Sequence, residues 1–403
     1  MSFTKLYTEL GVGKTTVFSD LYYMLSKRIV EDGSKVNSRN GKVMEYLNFK
    51  TVVTNPRARC VGGWGRDINV FFLLAEALWI WCGRKDVAFL HIFNKRMKEF
   101  SDDGIVFHAP YGFRLRHYGV SSFDKGSNDS QHQLDGYDQL LMALEMLKNN
   151  SEDRRVVLSI WNPDLDLSTK SKDLPCNDML MFKIRENSLY QTISNRSNDL
   201  HWGLPTNVFQ FSIIGELMSL ILGVELGEQV HNSQSLHAYY DNELTHKMYE
   251  NFSNKDSIGI YDLVAHSNMD IDFTSDSGVS CRLREVDLLL STMIDNLRMI
   301  CYNDASTDAD TYYTRTLITK SKYFYMVYMI LKTYALYSKS QRTTEDKLIA
   351  LDRLMQLKKN NNGWCDDYLL LAMNFFASRI DDKDLDLVKG IFNNDIVKHL
   401  GTL

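Results

Sequence analysis

The strongest constraint on this chain lies between residues 174 and 207, in the runs Leu174-Pro175-Cys176, Asn195-Arg196-Ser197-Asn198-Asp199 and Gly203-Leu204-Pro205-Thr206-Asn207. Two short apolar segments, Met179 to Ile184 and Ser188 to Ser194, separate the first run from the second and read as paired strands. If that pair folds back on itself, Arg196 returns to Cys176, where a nearby cation lowers the pKa of a thiol. Arg196 and Ser197 form a cation and hydroxyl pair suited to phosphate oxygens. A nucleophile, a fixed cation and several hydrogen-bonding side chains in one place suit an enzyme that attacks a small anionic substrate.

The charge balance agrees that any anion is met locally. A net charge of -5 gives no global attraction for nucleic acid or an anionic membrane, so neither is expected as a partner. With 403 residues, 44% of them hydrophobic and 24% charged, the chain can bury one large domain and a smaller one. The cysteines at 60, 82, 176, 281, 301 and 365 form no CxxC pair, and no secretory leader precedes them. Free thiols in a reducing compartment, the cytoplasm, are the expectation. The most apolar stretch, Val70 to Cys82, is too short to span a bilayer and carries Glu76 in its middle, so a buried helix is expected there.

The periodicity predicts an α+β body followed by helices. A helix over Val17 to Val30 stops at Asp32-Gly33, a polar turn covers Ser34 to Gly41, and Val43 to Val53 is extended. The Tyr111-Gly112 turn lies in a loop before a helix over Tyr137 to Lys148, and Arg155 to Trp161 is a third short strand. Apolar residues recur at helical spacing from Asn207 to Leu222, placing Asn207 at a helix start and Gly223 at its stop. Leu288 to Cys301, Lys320 to Ser338, Glu345 to Leu357 and Asp366 to Ile380 all look helical, joined by polar segments such as Asn303 to Thr311. The expected division is a catalytic domain over 1–280 and a helical extension over 281–403.

Other residues add chemistry. Arg154-Arg155 stand at the head of an apolar strand, and Arg39 lies in the polar turn Asn37 to Gly41, so all three are candidates for an anion. The Asn207 amide can donate to a ring carbonyl and accept from a ring N–H, which fits the edge of uracil. Asp199 upstream and His237-Ala238-Tyr239 downstream contribute a carboxylate, an imidazole and a phenol. Singly, each suits a helix cap or a satisfied core polar group better than a functional role. Glu76, among Leu73, Leu74, Ala77, Leu78 and Trp79, should have a raised pKa suited to proton transfer. Gly11-Val12-Gly13-Lys14-Thr15-Thr16 lacks the first glycine of a P-loop and no apolar strand leads into it. The aromatic run Tyr323 to Tyr328 sits in a helical pattern and is expected to be a packing face.

Taken together, these motifs resemble the thymidylate synthase and deoxynucleotide hydroxymethylase superfamily from about Tyr22 to Tyr239, in the family's order. The matching pieces are Gly33 to Gly41, Glu76-Ala77-Leu78-Trp79, Tyr111-Gly112, Arg154-Arg155, Pro175-Cys176, Arg196 to Asp199, Gly203 to Asn207 and His237 to Tyr239. The resemblance implies a thymidylate synthase-like mixed sheet with packed helices. It also implies a homodimer that binds a pyrimidine nucleoside monophosphate and 5,10-methylenetetrahydrofolate, with no metal. By the same analogy Cys176 attacks carbon 6 of the ring, Glu76 manages proton transfers, Asn207 reads the base, and Tyr111 and Asp199 belong to the catalytic set. His237 and Tyr239 hold the ribose hydroxyl. Arg39, Arg196 and Ser197 grip the phosphate, joined by Arg154 and Arg155 from the partner subunit.

Departures from the pattern bear on the product. Synthases usually have His after the nucleophile and Gln on the next strand, where this chain has Asn177 and Met181. The runs Arg-Ser-Asn-Asp and Ser235-Leu236-His237-Ala238-Tyr239 look closer to phage deoxycytidylate hydroxymethylases, which however carry Asp where Asn207 stands. No version of the short synthase tail that closes over the folate is recognisable, and losing such a closure favours water as the final reactant. The expected activity is that of a deoxyuridylate hydroxymethylase giving 5-hydroxymethyl-dUMP. Thymidylate synthase giving dTMP and dihydrofolate is the alternative, and a non-catalytic nucleotide- or RNA-binding homologue is a second. The helical extension is expected to support the dimer.

Overall fold

The computed structural model describes residues 4–38, 41–62, 66–120, 136–253, 268–274, 278–302 and 307–380. Among them, nine strands form one mixed sheet: β1 (Thr4–Tyr7), β2 (Val12–Thr15), β3 (Ser34–Ser38), β4 (Gly41–Val53), β5 (Val157–Ser159), β6 (Asn177–Arg185), β7 (Ser188–Asn195), β8 (Asn198–Asp199) and β9 (Glu225–Tyr239). The order is β1-β2-β4-β9-β7-β6-β5, with β3 added to β4 and β8 to β9. β9 is the hub: it runs antiparallel to β4 and parallel to β7 and β8. The fold is α+β, with helices packed on a mixed sheet.

Alternation of side chains decides which face is covered. Leu180, Phe182 and Ile184 of β6 and Leu189 and Ile193 of β7 are buried against helices, while Met179, Met181, Lys183, Tyr190, Thr192 and Ser194 between them stay partly or fully exposed. The amphipathic helix Phe18–Asp32 lays Phe18, Leu21, Tyr22, Leu25 and Ile29 on Met44, Phe49, Val53 and Leu236. Helix Val70–Trp81 starts with the Asn69 side chain accepting from the Phe72 amide. It packs on helix Gly203–Leu222, which ends at Gly223 in the left-handed conformation. By length and composition Gly203–Leu222 could cross a membrane, but 89% of it is buried inside the protein as the central core helix.

Four expectations change. The polar turn is a hairpin, with Ser34 opposite Glu45 and Ser38 opposite Gly41; every residue of β3 is exposed, so no apolar alternation marks it. Tyr111-Gly112 is the first turn of a short helix, Tyr111–Arg116, rather than a loop. A side chain at Gly112 would collide with the Ile80 backbone, so the glycine lets this helix close on the end of Val70–Trp81. The central helix begins at Gly203, four residues before Asn207, because Pro205 is tolerated in a first turn. The polar segment after Asn303 holds a helix, Thr307–Lys320, separated from Lys322–Lys339 by Ser321, which caps the second. The P-loop-like run forms the left-handed turn at Gly11 and then β2, with Lys14 paired to Glu228 at 2.9 Å. Tyr323, Phe324, Val327 and Tyr328 are buried, as a packing face requires.

Helices Val279–Tyr302, Lys322–Lys339, Thr344–Asn360 and Asp366–Ala377 contribute to the same continuous apolar core as Val70–Trp81. Polar ties reinforce the seam. Asp287 accepts from Trp81 Nε1 at 3.0 Å and pairs with Arg116 at 2.6 Å, and the Cys60 thiol donates to Asp367 at 3.3 Å. Glu216, fully buried on the central helix, pairs with Arg57 at 2.7 Å and with buried Arg59, and accepts from the Met269 amide at 3.1 Å. Burial pushes this carboxyl up, but Arg59 and Arg57 together hold it below the usual range. Glu216→Gln leaves the Arg59 guanidinium buried without a counter-charge, and is expected to destabilise the protein by about 3–5 kcal/mol in urea unfolding. A loss below about 1 kcal/mol would show that the cluster contributes little beyond an ordinary hydrogen bond.

Candidate active site

The return of β6 into β7 builds the site's first half. Asn177 stands opposite Asn195, so the residues just outside the pair, Cys176 and Arg196, are brought together. The Arg196 amide donates to the Cys176 carbonyl at 3.0 Å. Its guanidinium donates to the Pro175 and Leu174 carbonyls at 2.8 and 3.3 Å, leaving Nη2 at 3.7 Å from Cys176 Sγ. Burial pushes the Cys176 thiol up, and Arg196 pulls against that shift; the net position is above an ordinary thiol.

The second half comes from one face of a helix. Gly203, Thr206, Asn207 and Gln210 follow i, i+3, i+4, i+7 spacing and line the cleft that Cys176 opens into. Glu76 faces them from helix Val70–Trp81 and accepts from Gln210 Nε2. Burial among apolar neighbours pushes Glu76 up to about 8, against the opposing hydrogen bond from Gln210. Tyr111, at the head of its short helix, reaches the same cleft, and burial followed by the neighbouring Cys176 charge raises its phenol. The cleft has a volume of about 410 Å³, within the range of small-molecule sites.

β8 and β9 supply the far wall. Asp199 pairs with His237 in the register of the two strands, and the Leu200 amide donates to the His237 carbonyl at 2.7 Å. Asp199 Oδ1 accepts from the His201 and Trp202 amides at 2.7 and 2.8 Å, so this carboxylate also caps the turn into the central helix. Its burial holds the carboxyl above the usual range. His237 and Tyr239 meet edge to face with centroids 5.6 Å apart. They share a second lobe of the cleft with Ser38, Glu45, Leu174, Arg196, Ser197 and Ser235.

Nine of the predicted residues therefore converge: Cys176, Glu76, Asn207, Asp199, Tyr111, Arg196, Ser197, His237 and Tyr239 all line the cleft. Arg39 lies outside the described residues, next to Ser38 of the second lobe. Arg154 and Arg155 are exposed at the head of β5 and do not line the cleft; Arg155 pairs with Asp153 at 2.7 Å. The sequence reading missed Gln210, Lys172 and Trp202 as lining groups. Gln210 was signalled by its place one turn beyond Asn207. Trp202 is 53% exposed, with the Arg66 guanidinium 4.9 Å from its ring centre, a flat surface signalled by nothing in the local pattern.

Comparison with known proteins follows the same outline. A family profile described as thymidylate synthase matches residues 20–260. The chain is 40% identical over 238 residues to a deoxyuridylate hydroxymethyltransferase of Bacillus phage SP01, covering 59% of this chain and 60% of that protein. It is 40% identical over 211 residues to a deoxyuridylate hydroxymethyltransferase of Pseudomonas phage M6, covering 52% and 56%. It is 33% identical over 172 residues to a thymidylate synthase of Bacillus phage phi3T, covering 41% and 56%. The similarity spans less than two thirds of each relative's length.

The contact between Arg196 and Cys176 is open to direct measurement. In Arg196→Gln the charge that opposes the burial shift is gone, so the midpoint of Cys176 alkylation against pH, read on its peptide by mass spectrometry, should rise by about one pH unit. An unmoved midpoint would mean that the guanidinium does not act on the sulfur.

Proposed function

The chain belongs to the thymidylate synthase family, and from that premise we propose that it transfers a one-carbon unit from 5,10-methylenetetrahydrofolate to carbon 5 of dUMP, giving 5-hydroxymethyl-dUMP. The observation that carries the reading is the cleft in which a thiol beside a guanidinium faces a buried amide and a carboxyl with its pKa raised to about 8. Each is a group that addition to a uracil ring requires, and a protein that only binds nucleotides needs neither the thiol nor the acid.

In this reading Cys176 adds to carbon 6 of the ring, and negative charge develops on the carbonyl at position 4. Asn207 donates to that oxygen, and Glu76, protonated at neutral pH, passes a proton toward it through water. Tyr111 and Asp199 complete the catalytic set, with Tyr111 beside the attacking thiol. Arg196 and Ser197 hold the phosphate in the second lobe, Arg39 is a further phosphate ligand by the family resemblance, and His237 and Tyr239 hold the ribose hydroxyl. The folate supplies the one-carbon unit to the nucleophilic carbon 5. Carbon 5 then loses its proton as the carbon–nitrogen bond to the folate breaks, tetrahydrofolate leaves with a proton, water adds to the exocyclic methylene, and the thiol leaves.

Two features favour water over hydride in the last step. The SP01 and M6 deoxyuridylate hydroxymethyltransferases match this chain at higher identity and over more of its length than the phi3T synthase does. The cleft also opens past exposed Lys172 and Trp202. dTMP formation is the second reading, favoured by the match to thymidylate synthases. The half-exposed sheet face of Met179, Met181, Tyr190 and Thr192, with Val157 49% exposed on β5, supports a homodimer. Arg154 and Arg155 lie next to that strand, from which they would reach a partner's phosphate site.

Incubating the protein with dUMP and the folate should yield 5-hydroxymethyl-dUMP and tetrahydrofolate, identified by mass, and Cys176→Ser should abolish the product. dTMP with dihydrofolate would replace the proposal by the synthase reading. The rate of the chemical step should fall as pH rises through about 8, where Glu76 loses its proton. Because the Gln210 hydrogen bond favours the carboxylate, Gln210→Leu should move that limb to higher pH. A limb that stays in place would assign the pH dependence to another group.

A further inference from the structure

We propose that Asn177 and Asn198 are positioning residues that fix which way round the Asn207 amide faces, and that this makes the site select a 4-oxo over a 4-amino pyrimidine. The inference rests on the cleft's being a dUMP site. An asparagine alone cannot make the selection. Uracil offers an N–H at position 3 and an oxygen at position 4, cytosine a bare nitrogen and an amino group, and an amide matches either by turning over, since its oxygen and nitrogen occupy equivalent positions. Whatever stops the turn sets the specificity.

Here the amide is held in a one-way relay. Asn195 Nδ2 donates to Asn177 Oδ1, Asn177 Nδ2 to Asn207 Oδ1 at 3.1 Å, Asn207 Nδ2 to Asn198 Oδ1 at 3.1 Å, and Asn198 Nδ2 to Ser233 Oγ at 3.2 Å. All five side chains are buried: Asn207 is 6% exposed and the other four at most 2%, so solvent is not at hand to replace a lost partner. Turning Asn207 alone would set N–H against N–H at Asn177 and oxygen against oxygen at Asn198. The relay leaves Asn207 one lone pair and one N–H for a ligand, on a residue that lines the cleft.

Strand register holds the row in place. Asn177 pairs with Asn195 between β6 and β7, and Asn195 pairs with Ser233 between β7 and β9, so three members lie side by side across three strands. Asn198 enters from β8. The space it needs comes from Gly203, where a side chain would begin 2.8 Å from Asn198 Oδ1.

Two isosteric substitutions on either side of Asn207 separate this role from simple support. In Asn177→Asp the carboxylate can only accept, so Asn207 must turn to donate to it; Asn198 then turns to donate in its place and the Ser233 hydroxyl donates to Asn198. In Asn198→Asp the new carboxylate still accepts from Asn207, and the amide stays as it was. With the full-length protein, calorimetric binding of dUMP and dCMP should show a preference for dUMP in the wild type. The dUMP to dCMP affinity ratio should fall at least about tenfold in Asn177→Asp, while in Asn198→Asp it stays within about threefold of wild type. Asn177→Ala, which removes the donor without adding charge, should also lower the ratio, chiefly by improving dCMP, and it carries the test if Asn177→Asp does not fold. A wild type that prefers dUMP alongside Asn177 variants that keep the full preference would overturn the relay alone, as would equal losses in Asn177→Asp and Asn198→Asp. A wild type that binds neither nucleotide would overturn the dUMP reading itself.

Discussion

The pairing of β6 with β7 is the interaction on which the rest of the site depends. With Asn177 set opposite Asn195, the next residue outward on each strand is Cys176 on one side and Arg196 on the other. The backbone bond from Arg196 to the Cys176 carbonyl closes that end. A slip of one residue would turn Asn177 and Asn195 to the opposite face of the sheet and separate the guanidinium from the sulfur. Register is well specified here because Leu180, Phe182, Leu189 and Ile193 must all face the same core. The apolar pattern of two strands thus determines the distance between a thiol and a guanidinium.

Opposed electrostatic effects then give each titratable group its state. Dry surroundings raise both Cys176 and Glu76, but their partners differ: Cys176 has a guanidinium against it, and Glu76 has only a neutral amide. Arg196 therefore limits the rise of the thiol, while the carboxyl is left able to carry a proton. Cation and acid stand on different elements, Arg196 at the end of β7 and Glu76 in a helix, so neither cancels the other. In a chain of overall negative charge, the Arg196 guanidinium and the Ser197 hydroxyl border the second lobe together.

Much of this was legible in the sequence because it rests on local spacing. The core helices, the three strands around Cys176 and nine residues of the cleft follow from periodicity and motif order. What escaped has physical reasons. β3 is exposed on every residue and pairs only through its backbone, so it has no side-chain signature. The start of the central helix was displaced by Pro205, a breaker in most positions and a good first-turn residue in this one. Asn177 was visible only as a departure from a family pattern. Its bonds to Asn195 and Asn207 span 18 and 30 residues, and no local rule links amides across strands at such separations.

The environment of Glu76 also depends on residues far beyond it in sequence. Its helix, Val70–Trp81, is apolar on nearly every side, and a helix buried all round needs neighbours all round. The central helix covers part of it, and Lys322–Lys339, Val279–Tyr302 and Asp366–Ala377 cover much of the rest, all beyond the residues 20–260 that match the family profile. Phe71, five residues before Glu76 on the same helix, packs on Tyr334, Phe375 and Phe376, and Asp287 ties the end of that helix through Trp81 and Arg116. A carboxyl keeps a raised pKa only while water is excluded behind it. The helices after residue 278 therefore bear on Glu76 without lining the cleft: they complete the dry core around Val70–Trp81, and burial is what raises this carboxyl.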